Sequence, residues 1–145
     1  MKCIMETLKK FKIVVLEDDD FYNKLLSRYL TAVLTELGVM KGFRLRLSSY
    51  TSYKDCMMNF DDDTTLLFTD YYLRNGNSAS QVIRFVNNTN SKCKVVVISQ
   101  IQNMQTAVST LLEGAIDFIR KDRNTLQQCR DIAEAVINER LILRN

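Results

Sequence analysis

By hydrophobic pattern, the chain begins its first structured unit with Ile13-Val14-Val15-Leu16-Glu17-Asp18-Asp19-Asp20. A short apolar run rich in β-branched residues is followed at once by acids. Such a run reads as a strand buried on both faces, the condition of inner strands in a parallel sheet. Beyond the acids the hydrophobic period changes. Tyr22, Leu26, Tyr29, Val33 and Leu37 recur at the spacing of one helix face, with Asp19 or Asp20 placed to cap the first turn and Gly38 predicted to end it.

The same alternation repeats along the chain. Phe43 to Leu47 alternates apolar residues with Arg, like a more exposed strand, and Ser52 to Phe60 suits a short helix. Leu66 to Thr69 reads as a third strand, followed by a loop at Arg74-Asn75-Gly76-Asn77 and a helix carrying Ala79, Val82, Ile83 and Val86. Val95 to Ile98 is the fourth strand, and Asn103 to Leu112 the fourth helix, closed by Gly114. Ile116 to Ile119 is the fifth strand; Leu126, Cys129, Ile132, Ala133 and Val136 line a last helix capped by Asn124. Parallel crossovers are right-handed and successive units pack side by side, so this order specifies a doubly wound α/β domain. Ligands of such folds bind beyond the carboxyl ends of the strands.

Composition narrows the chemistry. The chain has 145 residues, 46% of them hydrophobic, enough for one domain with a real core. It contains no His, Pro or Trp, which excludes Ser-His-Asp and Cys-His triads and HExxH zinc sites. A net charge of +3 is too small to mark a nucleic-acid or membrane binder, and acids cluster at Glu17 to Asp20 and Asp61 to Asp63. Cys3, Cys56, Cys93 and Cys129 are scattered without any CxxC, so they read as reduced, mostly buried small hydrophobes. The start lacks a signal-peptide core and the longest uncharged run is broken by polar residues, so a cytoplasmic protein is expected.

The residues that follow the strands are Glu17-Asp18-Asp19, Asp70, Ser99 and Lys121, all predicted on one edge. Carboxylates gathered there repel by roughly 4 kcal/mol per pair about 4 Å apart at an effective dielectric near 20. A divalent cation would reverse that sign, and oxygen-only donors suit Mg2+ or Mn2+. The plainer alternative is that Glu17 to Asp20 are a solvated helix N-terminus, where negative charge is favourable. Each of Asp70, Ser99 and Lys121 also has an ordinary reading alone, as a loop acid, a strand-end hydroxyl and a solvated lysine. Their coincidence at one predicted site carries the case.

Through these segments the chain resembles the receiver domains of two-component response regulators, from about residue 12 to about residue 141. The carrying segments are Val14 to Asp19, Leu66 to Leu73, Val95 to Ser99 and Gly114 to Lys121, with Ser99 29 residues and Lys121 51 residues after Asp70. The resemblance implies a (βα)5 fold with strand order 2-1-3-4-5, in a single domain with a short extension over residues 1–11. It implies Asp70 as phosphoacceptor, Mg2+ held by Asp18, Glu17, Asp70 and the backbone carbonyl of Tyr72, Lys121 and Ser99 on the phosphoryl oxygens, and Phe118 as the aromatic switch. Tyr72, Gln100 and Ile101 stand where the family tunes access to the phosphoryl group and its lifetime. The implied partner is a sensor histidine kinase or a histidine phosphotransfer protein, since this chain has no His of its own. An output domain or effector protein is a further implied partner, and the last helix could lead into such a domain. A homodimer is open, although the uncharged fourth helix lacks the charge pairs common in one family dimer. Neither nucleic acid nor membrane is expected to bind directly.

The sequence departs from the family where Arg74 and Asp122 replace two customary prolines and Gln100 replaces Ala or Gly. A less rigid loop after Asp70, altered geometry at Lys121 and slower phosphotransfer and hydrolysis are the expectations. The residues also allow an interaction module that is no longer phosphorylated, or a haloacid-dehalogenase-type phosphohydrolase whose motif would have to be Asp18-Asp19-Asp20-Phe21. The second leaves Asp70 unexplained.

Overall fold

In the computed structural model, which describes residues 8–89, 92–101 and 103–142, the apolar runs form one parallel sheet. Its strands are β1 (Lys9–Leu16), β2 (Phe43–Tyr50), β3 (Leu66–Asp70), β4 (Lys94–Ser99) and β5 (Asp117–Arg120), in the order β2-β1-β3-β4-β5. The helices are α1 (Asp20–Lys41), α2 (Tyr53–Met58), α3 (Ala79–Asn87), α4 (Met104–Glu113) and α5 (Thr125–Ile142). Cys3 and Leu143 to Asn145 lie outside the described residues.

Alternate residues of the central strands feed two cores, as the strand period of two requires. Ile13, Val15, Phe68, Val96 and Ile98 pack under α1 and α5 with Leu26, Leu30, Cys129 and Ala133. Val14, Leu16, Leu67, Val95 and Val97 face the opposite layer with Cys56, Val82, Ile83 and Val86. Burial on both faces explains why β1, β3 and β4 read as continuous apolar runs, while the edge strand β2 alternates with exposed arginines. Cys56 and Cys129 are buried as expected, and Cys93 is half-buried.

Two helix readings are corrected. α1 does not end at Gly38 but continues to Lys41, and Gly42 closes it with φ 81°, donating its N–H to the Gly38 carbonyl at 2.8 Å. Gly38 is needed for space: a Cβ there would meet the Phe43 carbonyl oxygen at 2.6 Å. The fully buried stripe of α1 is also Asn23, Leu26, Ser27, Leu30, Leu34 and Gly38, whereas Tyr22, Tyr29, Val33 and Leu37 pack half-buried at its flank. The helix packs on the sheet beside α5, so residues flanking the stripe are partly covered too. Of the face read from periodicity, Leu26 is in the centre and the other four residues are at the flank.

Caps place the helix starts. Asp19 accepts the Tyr22 N–H at 2.9 Å, Ser52 the Asp55 N–H at 3.1 Å, and Asn103 the Thr106 N–H at 3.2 Å. Ser78 and Gln81 form a capping box at α3. Asn124 precedes α5, and its carbonyl accepts the Gln128 N–H at 3.0 Å.

Candidate functional site

Because the strands are parallel, their carboxyl ends share one edge, and five of the expected site residues arrive there directly. Glu17 and Asp18 follow β1, Asp70 ends β3, Ser99 ends β4 and Lys121 follows β5. The ladder continues past the strands: Glu17 N–H donates to the Tyr50 carbonyl at 3.1 Å, Tyr71 N–H to that of Ile98 at 3.1 Å, and Lys121 N–H to that of Ser99 at 2.8 Å. These bonds hold the loop starts in the register of the sheet. A cleft of about 240 Å³ results, lined by Glu17, Asp18, Asp19, Tyr22, Asp70, Tyr72, Ser99, Gln100, Ile101 and Lys121.

Three carboxylates, those of Glu17, Asp18 and Asp70, bring oxygens within 4.8 Å of one another. The Lys121 ammonium donates a hydrogen bond to Glu17 and stands 3.4 Å from Asp70. Glu17 is only 3% exposed. Burial, then the neighbouring charge of Asp70, pushes its carboxyl up to about 7 against the opposing pull of Lys121. Asp70 is raised too, by burial first, against Lys121 and a hydrogen bond with Glu17. Burial alone would lower Lys121, but the hydrogen bond to Glu17 and the charges of Asp70 and Glu17 outweigh it and hold it above its ordinary value. Burial thus dominates the two acids, while the neighbouring carboxylates dominate the lysine. All-oxygen donors in such a field fit Mg2+ or Mn2+.

Ser99 is buried, and its Oγ accepts the Ile101 N–H at 3.1 Å, which leaves its own proton available to donate. Gln100, Ile101 and the 55%-exposed Tyr72 form the rim, with the Tyr72 ring edge-on to Tyr71 at 4.7 Å. Phe118 is absent from the cleft wall; it is half-buried against the α3-side core, 6.3 Å from Tyr71. Among the acids of the dehalogenase-type motif, Asp19 caps α1, while Asp20 and the 76%-exposed Phe21 do not line the cleft.

The two positions without proline have substitutes. No peptide among the described residues is cis. Asp122 donates its N–H to Thr125 Oγ1 at 2.7 Å and accepts the Asn124 N–H at 2.7 Å, while Thr125 Oγ1 donates to the Arg120 carbonyl at 2.9 Å. The first of these bonds requires a backbone N–H that proline lacks. After Asp70, Leu73 N–H donates to the Asn77 carbonyl at 3.0 Å, and Asn75 and Gly76 reverse the chain with φ 63° and 75°.

Sequence reasoning missed two organising residues. The buried Asn23 Nδ2 donates to the carbonyls of Glu17 at 3.0 Å and Tyr50 at 2.9 Å, tying the acidic loop to β2. A polar residue in register with Leu26 and Leu30 on the buried stripe was the available signal. Tyr22 places its ring 4.4 Å from the Lys121 ammonium, a cation–π contact that helps to aim the lysine.

The doubly wound parallel sheet with this strand order has the fold of response regulator receiver domains. The BeF3-activated receiver domain of DrrB matches with a TM-score of 0.72 at 16% identity, over 89% of this chain and 98% of that one. A CheY-like receiver domain protein from Methanospirillum hungatei JF-1 matches at 0.66 and 15% identity, over 92% and 98%. DrrB of Thermotoga maritima, an OmpR/PhoB homolog, matches at 0.71 and 17% identity, over 90% of this chain and 54% of that one. No family model and no curated protein matches the sequence.

Proposed function

We propose that the chain is a phosphorylation-dependent signalling switch, a single receiver unit with its core over residues 12–141, and that Asp70 is its phosphoacceptor. The observation that carries this reading is the convergence on Asp70 of two further carboxylates and the Lys121 ammonium at the end of a central strand. A carboxylate oxygen of Asp70 attacks the phosphorus of a partner's phosphohistidine; the O–P bond forms as the P–N bond breaks, and the imidazole nitrogen takes up a proton as it leaves. The partner is a sensor histidine kinase or a histidine phosphotransfer protein, and an output domain or effector reads the result. Glu17, Asp18, Asp70 and the Tyr72 carbonyl would hold Mg2+, or Mn2+, which supplies positive charge to the transferring oxygens.

Lys121 and Ser99 do the rest. The ammonium, already between Glu17 and Asp70, pairs with the new phosphoryl oxygens, and the Ser99 proton is donated to one of them. Ser99 drawn inward vacates space for Phe118, and the surface of α4 and β5 changes. Moving such an equilibrium from one state to the other takes roughly 5 kcal/mol of differential binding, which several charge-assisted hydrogen bonds supply. Gln100, Ile101 and Tyr72 narrow the approach and slow both gain and loss of the phosphoryl group. The domain turns over nothing beyond its own phosphorylation, and the reading places it in the cytoplasm; no described helix is long and apolar enough to cross a membrane.

The test is incubation with Mg2+ and a small acyl or amidophosphate donor, followed by intact-mass measurement. The expected outcome is a base-labile, acid-stable gain of one phosphate that Asp70→Asn abolishes. No gain in the wild type, or an equal gain in Asp70→Asn, overturns the reading.

A further inference from the structure

The cleft has a second cation at its mouth that the proposed function leaves unused. Arg74 Nε stands 3.6 Å from Asp18 Oδ2, although the Arg74 side chain is 75% exposed. The backbone behind it is tied down: the Asn77 side-chain amide donates to the Arg74 carbonyl at 3.2 Å, Leu73 N–H donates to the Asn77 carbonyl, and Tyr72 bridges to Ser78 at the start of α3. The two left-handed residues Asn75 and Gly76 fold the loop back on itself directly after Arg74. The charges are thereby divided, with Lys121 on Glu17 and Asp70 and Arg74 on Asp18.

We propose, on the basis of the divalent-cation reading above, that Arg74 is a built-in competitor for the metal, a specificity-determining residue that neutralises Asp18 until a divalent cation displaces it. A guanidinium carries one charge and makes an exposed, salt-screened pair, so a divalent ion prevails over it. It does so at reduced affinity, because it must first displace Arg74 and then bind beside a like charge. In this chain the residue after the turn thus sets the Mg2+ concentration at which the site becomes competent.

Titration of the metal-free protein with MgCl2, followed by tyrosine emission and amide chemical shifts around the cleft, tests this directly. Removing one exposed competitor is expected to tighten binding by roughly three- to tenfold in Arg74→Gln. Arg74→Lys, which keeps the charge, stays near the wild-type midpoint, and Arg84→Gln on α3 does not shift it. The gap between wild type and Arg74→Gln narrows as KCl is raised. Equal midpoints, or weaker binding in Arg74→Gln, overturn the competitor role while leaving the metal site standing. Absence of any Mg2+ response in both folded proteins overturns the divalent-cation reading itself, and this inference with it.

Discussion

Glu17 shows how far a fold moves a single residue. In sequence it is the first of four consecutive acids; in the structure it is buried, hydrogen-bonded by Lys121 and by the Asp19 N–H at 3.2 Å, and raised to about 7. Its folded value lies above the ordinary 4.5, so the fold favours the protonated acid. That stabilisation is complete below about 4.5 and is lost as pH rises through about 7. The metal-free protein is therefore expected to lose about 3–10 °C in Tm between pH 5 and pH 8 through this group. Glu17→Gln flattens that part of the profile, and Mg2+ restores the loss at the alkaline end only where Glu17 is present. Thermal melts of both proteins across the range measure it; a profile unchanged by Glu17→Gln contradicts the assignment. Glu17, Asp18, Asp70, Ser99 and Lys121 were legible because each follows a recognisable strand. Tyr22, Asn23 and the reach of Arg74 were not, since those roles depend on which side chain lies opposite in space.

At the scale of elements, α1 and β2 meet through a glycine whose purpose the periodicity concealed. Gly38 looked like a stop signal, but it is a mid-helix residue pressed against the start of the next strand. Two effects oppose each other in Gly38→Ala. Helix propensity favours Ala by about 1 kcal/mol, whereas the new Cβ would collide with a backbone oxygen of Phe43 that cannot turn aside as a side chain would. Overpacking of this kind costs about 1–3 kcal/mol and wins in a rigid helix–strand corner. Gly38→Ala should therefore lower stability by about 1–2 kcal/mol in urea melts; a stabilised variant would show that the corner relaxes. Ser52, Ser78 and Asn103 stand as the cap residues at the starts of α2, α3 and α4, a signal local to the chain. The surface of α4 is uncharged from Met104 to Leu112 and exposes Met104, Val108, Leu111 and Leu112.

At the scale of the molecule, one sheet joins two cores, and each holds a buried cysteine. Cys129 lies in the α1–α5 layer and Cys56 in the opposite one, both 0% exposed, with burial pushing each thiol up to about 12. Neither reacts while buried and protonated. Since β1, β3 and β4 contribute residues to both cores, opening one layer strips the other of its floor. Thiol labelling under native conditions, resolved by peptide mass, should therefore modify the two at the same rate, that of global unfolding. Unequal rates would mean that the layers open separately.

The class of fold, the strand order through the resemblance, and the acids, hydroxyl and lysine at the strand ends are all legible in the chain before it folds. Strand period, burial on both faces and the parallel connection rule act locally and place every carboxyl end on one edge. Packing alone settles which helix face is innermost, why Gly38 is small, how Asn23 ties the acidic loop to β2, and that Lys121 and Arg74 divide the acids between them. Those outcomes depend on contacts between residues distant in the chain, and such contacts exist only once the layers are packed.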